Sequence, residues 1–172
     1  MEHHLGILAC AAVLSLSGCA ATAGPGSLLL VGNEGLVCIP SQDGKFIQLG
    51  GVAIENVVDG VIASGVEFLY EENVTTAGAY LLPLNGGRDL VGFEIVDVDW
   101  EANVPVGAIL LGNEPVPLAE GQSYNLVIVI EPENDRRPAE VRGIALKYLE
   151  GGSERIGSVI DAALLPALGD PC

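Results

Sequence analysis

Residues 94–101, "EIVDVDWE", carry Glu94, Asp97, Asp99 and Glu101 within eight positions. Period-two alternation predicts a strand here, with Val96, Val98 and Trp100 on one face and Asp97, Asp99 and Glu101 on the other. Three carboxylates on one strand face offer oxygen ligands of the kind a hard cation such as calcium takes. Asp97, Asp99 and Glu101 are therefore candidate metal ligands, with a plain solvated strand face as the competing expectation. No EF-hand loop or glycine–aspartate repeat accompanies them. A second cluster, "EPENDRRPAE" at 131–140, mixes Glu131, Glu133, Asp135 and Glu140 with Arg136 and Arg137 between flanking prolines. It reads as a soluble connecting turn, with partner binding as the alternative, since loops carry function more often than strands do.

Carboxylates can also hydrolyse glycosides in pairs, without histidine. A sugar site also wants aromatic platforms, and only 5% of this chain is aromatic. Tyr70, Tyr80, Tyr124, Tyr148 and Trp100 fall mostly on strand positions that pack. A carboxylate-only hydrolase is thus a distant third expectation, and no catalytic residue or cofactor is assigned.

The amino terminus fixes where such groups would work. Residues 5–17, "LGILACAAVLSLS", form a thirteen-residue apolar run, shorter than the roughly 20 residues of a membrane-spanning helix. It has the length of a secretory signal core, and it is followed by the small-residue stretch "AATAGPG". Its end, Leu16-Ser17-Gly18-Cys19, resembles the lipobox of bacterial lipoproteins. The start "MEHH" lacks the Lys or Arg usual in export signals. The resemblance implies cleavage before Cys19 and acylation of its thiol. It also implies a lipid-anchored protein on the extracytoplasmic face of the cell membrane. The expected organisation is a signal peptide over 1–18, a lipidated Cys and tether over 19–26, and one folded domain over 27–172.

That cut removes His3, His4 and Met1, which are all the histidine and methionine present. The remaining chain excludes Ser-His-Asp and Cys-His catalysis and His-ligated metal sites. Of four cysteines, Cys10 leaves with the signal and Cys19 is taken by lipid. Cys38 and Cys172 remain, and in an oxidising compartment they are expected to form a disulfide, two free thiols being the alternative. The chain carries a formal charge of −16, which opposes nucleic acid and anionic lipid surfaces and attracts cations.

The elements that must position these groups are short. Apolar residues make up 49% of the chain, and Gly (23) and Pro (10) punctuate the apolar runs. From Ser27 on, runs of four to eight apolar residues alternate with turn signals such as Asn33, Asp59-Gly60 and Gly151-Gly152. Val66, Phe68 and Tyr70 alternate with Glu67 and Glu71, as in a half-buried strand. "NLVIVI" at 125–130 is apolar on both faces and β-branched, which predicts a central strand covered on both sides. "VIDAALLPAL" at 159–168 is open between helix and strand, since Ala and Leu favour a helix that Pro166 interrupts. Eight or so strands over this length predict an all-β, antiparallel, immunoglobulin-like β-sandwich.

Three stretches, "AIENVVDGVIASGVEF", "AGAYLLPL" and "NLVIVIEP…VRGIALKYLEGG", together with a terminal Cys, resemble uncharacterised secreted lipoproteins of high-GC Gram-positive bacteria. The resemblance implies an immunoglobulin-like sandwich and brings no activity with it. The expected function is a membrane-anchored binding or scaffolding module with a possible envelope protein partner and no nucleic-acid partner. Calcium binding through the acidic strand is the alternative.

Overall fold

The computed structural model describes residues 26–32, 35–55, 57–84, 92–112 and 114–172. The expected signal peptide and lipobox, Cys19 included, lie outside the described residues. Among the described residues the chain forms eleven strands and one short 3-10 turn. The strands are β1 (Leu29–Val31), β2 (Leu36–Cys38), β3 (Phe46–Glu55), β4 (Ile62–Glu72), β5 (Val74–Pro83) and β6 (Phe93–Val96). They continue with β7 (Ile109–Leu111), β8 (Val116–Pro117), β9 (Tyr124–Pro132), β10 (Ala139–Glu150) and β11 (Ser153–Leu165). The 3-10 turn covers Trp100–Asn103.

Two sheets pack face to face as a β-sandwich. The first runs β1-β3-β9-β5-β7, with β6 also paired to β3. The second runs β2-β11-β10-β4-β8. All pairings are antiparallel except β2 on β11. The apolar runs of the sequence become strands because alternate residues meet across the sheet gap. Leu126, Ile128 and Ile130 of β9 are 0–1% exposed and pack in one cluster with Val141, Ile144, Leu146 and Tyr148 of β10.

β9 has the double burial its sequence predicts. Its even-numbered residues face the opposite sheet, while Val127 and Val129 join a separate cluster with Tyr80 and Trp100. The cover on that outer side comes from the 3-10 turn. The strand predicted through residue 101 ends at Val96, and Asp97, Val98 and Asp99 pass through a turn into the segment that carries Trp100. Trp100 is 5% exposed and stacks on Tyr80, ring centroids 6.5 Å apart. Its role is to cap one face of a sheet, and it takes no part in the core between the sheets.

The carboxy-terminal run resolves as strand. β11 pairs with β10 along its length and stops at Leu165, immediately before Pro166, whose ring nitrogen has no proton for a ladder bond. β2 docks on the other edge of β11, with Cys38 opposite Leu164. Cys38 and Cys172 form the expected disulfide, with Cα atoms 5.7 Å apart.

Candidate functional site

The acidic candidates separate once the strand ends at Val96. Asp97 is ion-paired to Lys45, Asp99 precedes the 3-10 turn, and Glu101 lies in its first turn. They do not share a strand face, because the backbone turns to deliver Trp100 to the sheet. Among the described residues no group of three His, Cys, Asp or Glu side chains is placed to hold a metal ion. Val98 and Lys45 nevertheless border the same groove as Glu131, Glu133 and Asp135, a space of about 340 Å³. Among the described residues only Val98 of the first acidic run borders this groove, whose acids all come from the 131–140 segment.

The 131–140 segment is more ordered than a solvated turn. Asn73, in the left-handed region at φ 56°, donates through Nδ2 to the carbonyls of Asn134 (2.8 Å), Arg137 (3.1 Å) and Pro138 (3.2 Å). Its Oδ1 accepts from the Asn134 amide at 3.0 Å. The Leu168 amide donates to the Asp135 carbonyl at 2.6 Å. One asparagine and the carboxy-terminal segment therefore clamp this connection.

A second space, of about 310 Å³, is apolar and lies between the sheets at the edge formed by β1, β6, β2 and β11. Sequence reading missed it, because it arises from how two strands share one edge. β1 pairs with β3 from Ala53 onward, whereas β6 pairs with β3 only up to Leu49. Between them β3 carries a bulge at Gly50-Gly51, where its register on β9 shifts between Leu49 and Val52. Gly51 has φ 88°, a conformation open to glycine and strained for other residues. The Gly50 amide donates to the Gly92 carbonyl at 2.6 Å, and the Gly51 amide to Asn125 Oδ1 at 3.3 Å. Gly35, Gly50, Gly51 and Gly92 all border the space and place no side chains in it.

Buried Leu49, Val141 and Ile144, with half-buried Phe68, form its apolar interior. At its border Leu36 is 63% and Phe93 50% exposed. Large apolar side chains exposed around a cavity with apolar walls are the pattern of a ligand cleft. Among the described residues bordering it, Asp161 is the one that carries a charge. It is half-buried, and its Oδ1 accepts from the Ala162 amide at 3.1 Å. Burial pushes its carboxyl above the ordinary aspartate range, partly offset by that amide. The described lining therefore supplies one carboxylate, where hydrolysis by paired carboxylates uses two.

The aromatic residues expected to pack do so at Tyr80, Tyr124, Tyr148 and Trp100, each 5% exposed or less. Tyr70 does not. It is 44% exposed, lies under the Arg142 guanidinium at 5.5 Å, and donates to Glu72 at 2.7 Å. No helix among the described residues is long and apolar enough to cross a membrane. No family model matches the chain, and comparison with curated proteins finds no relative.

Proposed function

We propose that this chain is an extracytoplasmic binding module, held to the membrane by lipid on Cys19, that takes a small apolar ligand in the cleft between its sheets. The observation that carries this reading is the cleft itself. It has apolar walls, a glycine-lined opening and exposed Leu36 and Phe93 at its border. Its volume of about 310 Å³ lies at the lower end of the range of small-molecule sites. The anchor rests on the lipobox-like Leu16-Ser17-Gly18-Cys19 after an apolar run, and the Cys38–Cys172 bridge suits an oxidising compartment.

Two measurements test it. Nile red, a neutral dye whose emission rises in apolar surroundings, is expected to bind the purified domain. Binding should weaken several-fold in a Leu36→Ser/Phe93→Ala variant whose melting temperature matches the parent. Absence of dye binding, or equal binding by the variant, refutes the cleft reading. A Cys19→Ser variant is expected to leave the membrane fraction, and retention there refutes the lipid anchor.

A further inference from the structure

We infer that the ligand of this cleft is a small organic monocation, an amine carrying an alkyl or aryl group, whose nitrogen pairs with Asp161. The inference rests on the reading of the cleft as a binding site and assigns the chemistry of what enters it.

The walls decide the body of the ligand. Leu49, Phe68, Val141 and Ile144 present hydrocarbon and no polar side-chain atom, so only an apolar group fills the space without leaving its own polar atoms unpaired. Asp161 decides the head. Among the described residues bordering the cleft none is Lys, Arg or His, and none of them balances the carboxylate. Its one hydrogen bond among the described residues comes from the adjacent Ala162 amide. A carboxylate held against apolar surroundings without a cation is unfavourable by itself, as its raised protonation range reflects. Elsewhere on the molecule carboxylates do find cations: Asp97 has Lys45, Glu67 has Lys147 and Glu140 has Arg142. Asp161 is the carboxylate among the described residues at the cleft, and an ammonium group brought by the ligand completes it.

The alternatives fare worse on the same grounds. A carboxylate or phosphate ligand meets the like charge of Asp161 and, among the described lining residues, no basic side chain to offset it. A neutral alcohol fits the walls but leaves the carboxylate without its counter-charge. A bare metal ion finds a single carboxylate among the described lining residues, where several oxygens are needed. The formal charge of −16 over the whole chain also favours approach of a cation over an anion.

The test compares octylamine, octanol and octanoate, which share a chain and differ in charge, by titration calorimetry on the oxidised domain at neutral pH. The expected order is octylamine tightest, by roughly ten-fold or more over octanol, the range of a charge-assisted hydrogen bond, with octanoate weakest. In Asp161→Asn, an isosteric change that keeps the cleft, octylamine and octanol are expected to bind alike. Equal binding of octylamine and octanol by the parent overturns the cation assignment while leaving the cleft as a binding site. A preference for octylamine that survives in Asp161→Asn overturns it too, because the charge would then be read by the acidic surface at large. Failure of all three probes together with Nile red overturns the cleft reading and this inference with it.

Discussion

At the scale of single residues, two side chains stand out against the pattern around them. Asp161 borders an apolar cleft, and burial holds its carboxyl above the ordinary range. A carboxyl whose folded value is raised binds its proton more tightly folded than unfolded. Its favourable contribution is therefore complete below the unfolded value of about 3.9 and is lost as pH rises through the higher folded value. Asp161→Asn should accordingly raise the melting temperature at pH 7, with the gain closing as pH falls into the carboxylate range. A gain that grows on acidification would contradict this. Asn73 is the second. Its left-handed backbone suits Asn better than most residues, and its amide holds three carbonyls of the 131–140 connection. Asn73→Gly keeps the backbone and loses those bonds, a change of about 1–3 kcal/mol. Asn73→Ala adds backbone strain of roughly 1–2 kcal/mol. Urea titration should rank the two variants in that order, and trypsin should cut at Arg136-Arg137 faster in both than in the parent.

At the scale of elements, β9 and the segment that covers it form the strongest unit. A strand of Tyr124–Pro132 with seven consecutive buried residues needs cover on both faces. One face has β10, and the other has the turn that begins where β6 stops. That cover depends on Gly78, where an added Cβ would sit 2.6 Å from Trp100 Cζ2 and 2.7 Å from Cη2. Both atoms belong to a rigid ring, so the ring must move. Gly78→Ala should push Trp100 outward and destabilise by about 1–3 kcal/mol, the usual range for overpacking. Because Trp100 is the only tryptophan, its fluorescence reads this directly, and a red-shifted emission maximum is the expected result. The acidic run 97–101 was legible as charge but not as geometry. Alternation alone places the three carboxylates on one face, while the pull of a large indole toward an uncovered sheet turns the backbone out of register after Val96.

At the scale of the whole molecule, the disulfide and the amino-terminal entry lie toward opposite ends of β11. Ser27 donates through its amide to Glu150 at 3.1 Å and through its hydroxyl to the same carboxylate, beside the turn that starts β11. Cys38 sits opposite Leu164 at the other end. Asp161 lies eight residues beyond Ser153, so at ~3.3 Å per residue the cleft is about 26 Å along the strand from the end where Ser27 meets Glu150. The bridge closes a sequence separation of 134. Loop-entropy arguments give at most about 4–5 kcal/mol for a loop of that size. Denaturant midpoints with and without reductant should differ by an amount within that bound. Identical midpoints, with reduction verified by thiol titration, would show that the bridge adds nothing.

Sequence by itself determined what depends on local pattern and composition. The sandwich, the doubly covered strand at 125–130 and the burial of most aromatic rings follow from runs, alternation and residue counts. These features are set by the hydrophobic effect acting on neighbours along the chain. The tertiary structure decided what depends on neighbours across it. It set where β1 and β6 divide one edge of β3, how Gly50 and Gly51 leave a space there, and which of many carboxylates comes to face it. A cleft is a failure of two surfaces to meet, and no single strand carries the information of where its partner stops.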